Sequence, residues 1–164
     1  MTLKSTNQAK TAINYRIKEF EMENSYNESW NQKVAIITGG SSGIGKATAL
    51  ALAGLGARVL ITGRTKDSLE TVSSQHSNIR YLVADSSSPS SSEKIVLHAL
   101  NEFGRIDILI NNSGMGGLRP IEKYDVGFIE DICTANIVAP SMLLSAALPH
   151  LKKSKGTVVN VCTA

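Results

Sequence analysis

The stretch Lys33–Gly45 constrains the fold of this chain more than any other, because it joins an apolar run to a cluster of glycines. The run Val34–Ile37 is rich in β-branched residues, which is typical of a strand covered on both faces. The glycines that follow permit a sharp turn, and the alanine-rich segment Lys46–Leu55 predicts a helix. This order predicts a βα unit whose helix amino terminus can bind a pyrophosphate. The alternative interpretation is a glycine-rich turn without a ligand.

Strand-like and helix-like segments alternate along the rest of the chain. The predicted strands are Arg58–Thr62, Ile79–Ala84, Ile106–Ile110 and Gly156–Val161, and the predicted helices are Lys66–Gln75, Glu93–Phe103 and Asp125–Leu151. Such an alternation predicts a parallel sheet with helices on both faces. We therefore expect an α/β, Rossmann-like, doubly wound fold of three layers, with the strand order 3-2-1-4-5 and a cleft at the carboxyl ends of the strands.

The composition fits one globular domain, with 164 residues and a hydrophobic fraction of 42%. The net charge of +3 is mild and the basic residues are scattered along the sequence, which argues against a nucleic-acid partner. Cys133 and Cys162 predict neither a disulfide framework nor a metal site. They fit a reducing compartment, so we expect a cytoplasmic protein. We also expect no segment that is long and apolar enough to span a membrane.

Residues 1–31 differ from the rest of the chain, because they are polar and contain no glycine. We therefore predict an amino-terminal extension over 1–31 and a nucleotide-binding domain over 32–164. The extension is basic before Glu19, so a mitochondrial presequence is a second interpretation. The acidic residues that follow weaken it and favour a loosely ordered extension or a short docking helix. Trp30 is predicted to close over the base of the first strand.

Two motifs in this chain resemble those of the classical short-chain dehydrogenase/reductase family. The first is TGGSSGIG at residues 38–45, with glycines at the family's spacing after a threonine. The second is NNSG at residues 111–114, where the family has Asn-Asn-Ala-Gly. The resemblance extends from about Lys33 to Ala164. It implies an oxidoreductase that transfers a hydride between a nicotinamide dinucleotide and a small carbonyl or alcohol substrate.

The resemblance also implies where the cofactor binds. The implied positions are Gly39, Ser41, Ser42, Gly43, Ile44, Gly45, Arg64, Asp85, Ser86, Asn112, Ser113 and Gly114. Arg64 follows the second strand where a carboxylate would favour NAD(H), and a guanidinium suits a 2′-phosphate, so NADP(H) is expected to be preferred and NAD(H) is possible. Asp85 is expected to accept the adenine amino group. The alternatives are a solvated arginine at a helix start and an aspartate that caps the next loop.

Two residues are candidates for catalysis by the same resemblance. Asn136 matches a helix asparagine that holds a water in the family's proton relay, although it is equally compatible with a structural amide. Thr163 takes the place of the family's active-site serine, and its hydroxyl can still donate to a carbonyl oxygen. None of the four tyrosines has a lysine four positions later, so the family's Tyr-x-x-x-Lys is absent. We therefore expect no turnover by these 164 residues alone.

Two classes of function follow from these observations. The first is the amino-terminal part of an NADP-dependent oxidoreductase, incomplete at its carboxyl end. The second is a non-catalytic nucleotide-binding or dimerisation module.

The predicted helix over 125–151 is apolar on more than one face, and the resemblance implies a homo-oligomer formed through it. The fifth strand, as an open edge, is expected to lower the stability of a monomer. No metal site is expected.

Overall fold

A computed structural model of the protein describes residues 30–116 and 119–162. The predicted extension over 1–31 therefore lies almost entirely outside the described residues. Trp30 packs against a buried core cluster of the domain, and its carbonyl oxygen accepts a hydrogen bond from the Lys33 amide at 3.0 Å. Trp30 therefore contributes to the core beside the start of β1, and its closing over the base of that strand stays a prediction.

Five parallel strands form one sheet in the order β3-β2-β1-β4-β5, which confirms the predicted topology. Their bounds are Val34–Thr38 for β1, Arg58–Gly63 for β2, Ile79–Val83 for β3, Ile108–Asn111 for β4 and Thr157–Asn160 for β5. Each bound lies within two residues of the prediction. In the sheet register, Ile36 of β1 is opposite Leu60 on one side and Leu109 on the other.

The helices lie between the strands in sequence. Their bounds are Gly43–Gly54 for α1, Lys66–Ser73 for α2, Ser92–Phe103 for α3, Val126–Cys133 for α4 and Ala139–Ser154 for α5. The predicted single helix over 125–151 is wrong in one respect, because the π-helical turn Thr134–Val138 joins α4 to α5. Pro140 is the second residue after this turn. It has no N–H to donate to the carbonyl of residue 136, so regular α-helical bonding cannot pass through it.

Alternation along the strands separates two core clusters, one on each face of the sheet. The cluster toward α1 and α2 contains Ala35, Ile37, Ala49, Leu52, Ala53, Ala57, Val59, Ile61, Leu69, Val72, Ile79 and Ile110. The cluster toward α3 and α5 contains Ile36, Leu60, Ala84, Ile95, Val96, Ala99, Ile106, Leu109, Leu143, Ala147 and Leu151. Helices cover both faces, so the predicted doubly wound α/β architecture is confirmed.

A buried carboxylate fastens the amino ends of the two central strands. The side chain of Asp107 is 2% exposed; it accepts hydrogen bonds from the Val34 amide at 3.0 Å and from Arg105 at 2.8 and 2.6 Å. Lys33 approaches the same carboxylate at 3.6 Å. Burial raises the pKa of Asp107, but the hydrogen bonds and the neighbouring cations outweigh it and leave the pKa below its ordinary value. Asp107 therefore stays ionised near neutral pH.

The helical segment Val126–Ser154 is 29 residues long and has a mean hydropathy of 1.5 over its most apolar window. By length and composition alone it is apolar enough to cross a membrane, so the expectation that no such segment exists is wrong by this criterion. The same criterion is met by core helices of soluble proteins. Here α5 packs on the sheet through Leu143, Ala147 and Leu151, so one such helix is weak evidence for a membrane span.

Candidate functional site

Two adjacent cavities lie at the carboxyl ends of the strands, where the sequence predicts a cleft. The smaller has a volume of about 480 Å³ and the larger about 920 Å³. Both are lined by the same loop after β4, which consists of Asn112, Ser113, Gly114, Met115 and Gly116. Because this loop borders both cavities, the two form one cleft with an inner wall in common. Gly117 and Leu118, which follow this loop in sequence, lie outside the described residues.

Hydrogen bonds from Thr38 join the two motifs into one unit. Its hydroxyl oxygen accepts from the backbone amides of Asn112 and Ser113 at 3.0 and 2.9 Å. In return, the side-chain amide of Asn112 donates to the Thr38 carbonyl at 2.9 Å and to the Gly39 carbonyl at 3.3 Å. Thr38 begins the TGGSSGIG motif, but no role was assigned to it from the sequence. Its signal was a hydroxyl residue at the last position of a buried strand, immediately before the glycines.

Gly45 lies where α1 passes directly over the turn after β1. A Cβ atom at this position would overlap the Gly39 carbonyl oxygen and lie 2.5 Å from the side-chain nitrogen of Asn112. Close packing thus excludes any side chain at Gly45. Close packing also explains the glycine at position 40, since a Cβ there would lie 2.5 Å from the Cβ of Ile61. This corrects the sequence interpretation that Gly40 is needed for the turn. Gly39 alone of the pair has a positive φ, at 66°.

The amino terminus of α1 opens toward the cleft. Ser42 precedes the helix with φ −156° and ψ 173°, and its side chain makes no capping hydrogen bond. Nothing lies within 4 Å of the place where a Cβ of Gly43 would project. Ser41 and Ser42 line the smaller cavity, whereas Gly43 and Ile44 line the larger. The first N–H groups of α1 and its dipole therefore face a space in which an anion fits.

Arg64, Asp85 and Ser86 meet at the far wall of the smaller cavity. Asp85 accepts hydrogen bonds from the Ser87 hydroxyl at 2.6 Å and from the Ser87 amide at 3.0 Å. The Ser87 hydroxyl, with a smaller contribution from Arg64, holds the pKa of Asp85 below its ordinary value. The structure thus shows the loop-capping contacts of the alternative interpretation, and it also places the ionised carboxylate on the cavity wall. Ser86 is held by a hydroxyl hydrogen bond with Thr62 at 2.5 Å.

Asn136 clamps the loop after β4 to the π turn. Its side-chain oxygen accepts from the Met115 amide at 2.8 Å, and its side-chain nitrogen donates to the Met115 carbonyl at 2.8 Å. This is the structural amide that the sequence analysis held as its second interpretation. Asn136 also borders the larger cavity. Its part in a proton relay stays a prediction, and its role in fixing Met115 is seen directly.

Replacing Asn136 with alanine is expected to loosen the loop without unfolding the domain. Two hydrogen bonds to partly exposed backbone are lost, which costs about 1–2 kcal/mol. Hydrogen exchange of residues 113–116 should accelerate by about tenfold. The matched control is Asn101→Ala on the exposed side of α3, which should leave this loop unchanged. Equal exchange in both variants would contradict the clamp.

The larger cavity ends at the last described residues of β5. The side-chain nitrogen of Asn111 donates to the side-chain oxygen of Asn160 at 2.9 Å, and the Val161 amide donates to the Asn111 carbonyl at 2.9 Å. Cys162 is a free, exposed thiol on the cavity wall. Thr163 lies outside the described residues, so its catalytic role stays a prediction. Asn160 was not singled out from the sequence, although it is a polar residue at the end of a β-branched run.

No group of three or more histidine, cysteine, aspartate or glutamate side chains has a metal-site arrangement within residues 30–116 and 119–162. The donors around the cleft are instead backbone amides, hydroxyls, side-chain amides and one guanidinium. Such a set binds phosphates, ribose hydroxyls and carboxamides rather than a cation. The chemistry of the donors therefore fits a dinucleotide that lies across both cavities.

A comparison with protein families matches residues 33–164 to the sequence model described as short chain dehydrogenase. The chain is 30% identical to the 11-beta-hydroxysteroid dehydrogenase-like protein 4A of Arabidopsis thaliana over 158 residues, which is 93% of this chain and 53% of that protein. It is 35% identical to an uncharacterized oxidoreductase of Staphylococcus haemolyticus over 136 residues, covering 81% of this chain and 59% of that protein.

Among solved structures, the chain is similar to a short-chain dehydrogenase from Streptomyces avermitilis. The TM-score is 0.75 at 27% sequence identity, and the match covers 80% of this chain and 49% of the other. The chain thus spans about half the length of the relatives that it matches.

Proposed function

Because the chain belongs to the short-chain dehydrogenase family, we propose that it binds NADP(H) as the amino-terminal part of an oxidoreductase that interconverts a carbonyl and an alcohol. The family uses NAD(P) in general. The single observation that supports this proposal most is the cleft itself. It runs from Arg64 past the amino terminus of α1 to Asn136, and its donors match a phosphate-bearing dinucleotide.

The start of α1 would hold the pyrophosphate. The N–H groups of the first turn have no partner within the helix, and the helix dipole favours a negative charge beside them. The hydroxyls of Ser41 and Ser42 are placed to add hydrogen bonds, since both residues line the cavity. Gly43 leaves open space where a side chain would otherwise stand, so a phosphate can approach the backbone closely.

The adenosine half would occupy the smaller cavity. Arg64 is exposed on its rim, and a guanidinium can bind a 2′-phosphate with two parallel hydrogen bonds. Neither Gly63 nor Arg64, the residues at the end of β2, is a carboxylate that could bind the ribose hydroxyls of NAD(H). The ionised Asp85, which lines the same cavity, can accept the adenine amino group. These features support a preference for NADP(H) over NAD(H).

The nicotinamide half and a small substrate would occupy the larger cavity. When bound, the cofactor supplies or accepts the hydride. Asn112, Ser113 and Ile44 would position it from the turn side, and Asn136 would hold the loop at its edge through Met115. Leu144 and Val161 also line this cavity and would give it an apolar side. The hydroxyl of Thr163 is proposed to donate to the substrate oxygen.

The Arg64→Asp variant tests the cofactor preference. Replacing the guanidinium with a carboxylate removes an ion pair with the 2′-phosphate and adds repulsion, so NADPH affinity should fall by about 100-fold. NADH affinity should rise or stay constant, because the carboxylate can accept its ribose hydroxyls. Fluorescence titration of both cofactors measures the change. Arg80→Asp, on the exposed side of β3, is the control. A wild-type chain with equal affinities for both cofactors would overturn the preference.

One observation favours the second candidate function, a nucleotide-binding and dimerisation module. The segment from the π turn into α5 exposes apolar side chains, with Ile137 62%, Val138 44% and Met142 48% exposed. These residues support the proposed homo-oligomer. Cofactor binding without NADPH oxidation on a panel of ketones and aldehydes would favour this candidate over the first. A cytoplasmic location is proposed for either function.

A further inference from the structure

Cations gather at the edge of the sheet opposite the cleft. Lys33 precedes β1, Arg58 begins β2 and Arg105 precedes β4. Since parallel strands all begin at one edge, residues that are far apart in sequence become neighbours there; the Arg58 amide, for example, donates to the Lys33 carbonyl at 2.8 Å. The end of α5 and the start of β5 add three lysines. We name this surface the basic edge, and it consists of Lys33, Arg58, Arg105, Lys152, Lys153 and Lys155.

Contacts within the domain neutralise only part of this charge. Asp107 is the acceptor for both Lys33 and Arg105, and one carboxylate offsets one of the two cations. Lys152 and Lys153 lie in the last turn of α5, where they complement a helix dipole equivalent to about half a negative charge. The last turns of α1, α2 and α3 contain no basic residue. Helix capping therefore explains two of the six cations at most.

Aromatic side chains lie among these cations. The guanidinium of Arg58 stacks on the ring of Phe103 at 5.5 Å from the ring centroid. Trp30 is half-buried at the same edge, because it lies four positions before Val34, the first residue of β1. Lys152, Lys153 and Lys155 are all exposed. Phe103 also packs against the core, so Trp30 is the amphipathic aromatic residue of this edge. Exposed cations beside a tryptophan are a combination found where proteins contact the headgroup layer of a membrane.

We propose that the basic edge docks on an anionic lipid surface. The cations extend across four strand positions from β2 to β5, a row of about 14 Å at the usual strand spacing, which suits a planar array of headgroups. The exposed Leu148 lies one turn before Lys152 on α5 and can enter the interface beside the lysines. Because the cleft is at the opposite edge, a docked protein keeps it open to solvent. This interaction is independent of the proposed cofactor chemistry.

Vesicle sedimentation with the full chain tests the proposal. The probes are vesicles of phosphatidylcholine alone and vesicles with about a third of phosphatidylserine. Binding is expected only to the anionic vesicles and should weaken steeply between 50 and 300 mM salt, values chosen to span the change in screening. The variant Lys152→Gln/Lys153→Gln should bind about 30-fold more weakly, since each lysine near an anionic surface changes affinity by about fivefold. The matched control is Lys94→Gln/Lys123→Gln, with the same change in net charge.

Each outcome decides for or against the proposal. Loss of binding in the first variant with retention in the control supports it, provided that the thermal melts of the two variants agree. Equal binding of the wild type to neutral and anionic vesicles overturns it, as does an equal loss in both variants. Tighter binding of the wild type to a DNA or RNA duplex than to the anionic vesicles also overturns it, in favour of a nucleic-acid partner. Cofactor titration in the same variants is a separate readout, because failure of NADP(H) binding leaves the vesicle result intact.

Discussion

Substituting alanine for Gly45 is expected to lower NADPH affinity by about 100-fold and to destabilise the domain by about 3 kcal/mol. The added Cβ would overlap the Gly39 carbonyl oxygen and approach the Asn112 side chain to 2.5 Å. These atoms are backbone or belong to the hydrogen bonds between the two motifs, so they cannot simply rotate away. The start of α1 must shift, and with it the N–H groups that face the cleft.

The same helix offers a matched control for this substitution. Nothing lies within 4 Å of the place of a Cβ at Gly54, so Gly54→Ala should be neutral or slightly stabilising. Urea unfolding and fluorescence titration with NADPH compare the two variants. A Gly45→Ala protein that binds NADPH as tightly as Gly54→Ala would show that the packing of α1 on the turn does not position the cofactor site.

The second large effect is expected at Asp107. Its replacement by alanine leaves the buried Val34 amide without its acceptor and separates Lys33 and Arg105 from their common partner. We expect a loss of about 3 kcal/mol in the free energy of unfolding at pH 7. Because the two central strands are fastened at this point, the amino ends of β1 and β4 should become accessible to hydrogen exchange before the rest of the sheet.

The effect of Asp107 depends on pH in a defined direction. Its folded-state pKa is lowered, so its contribution is complete above the unfolded value of about 3.9 and disappears as the pH falls through the lower folded value. The stability difference between wild type and Asp107→Ala should therefore be largest at neutral pH and shrink below about pH 4. Asp131→Ala, an exposed carboxylate in α4, is the control. A difference that stays constant from pH 7 to pH 3 would mean that ionisation of Asp107 contributes nothing.

Local patterns were sufficient to predict the architecture. The β-branched run before Gly39, the glycines and the alanine-rich helix α1 follow one another in sequence and agree with one another, so the first βα unit required no distant contacts. The strand order followed from the alternation of strands and helices together with the two motifs. The positions of Arg64, Asp85 and Asn112 at one cleft followed in turn, because each residue lies within two positions of the carboxyl end of a strand in a parallel sheet.

Contacts between distant segments could not be predicted in the same way. The clamp from Asn136 to Met115 joins residues 21 positions apart, and the Thr38 hydroxyl reaches amides more than 70 positions away. The sequence interpretation of the basic residues as scattered was correct along the chain and wrong in space, since the sheet gathers the starts of its strands. Asp107 had a visible signal, a carboxylate within an apolar strand-like run, and Arg105 is a local partner, but Lys33 and Val34 come from the start of another strand.

The π turn changes the relative direction of the buried side chains on either side of it. A helical wheel drawn over residues 126–154 assumes one register, yet the five residues of Thr134–Val138 contain about one residue more than an α-helix of the same rise. The wheel therefore places Leu143 about 100° away from its true direction relative to Phe128, although both side chains are buried. Within α5 the buried residues keep a strict spacing of four, at Ala139, Leu143, Ala147 and Leu151. In evolutionary terms the turn is equivalent to a single-residue insertion that the helix retains while both of its halves keep their buried faces.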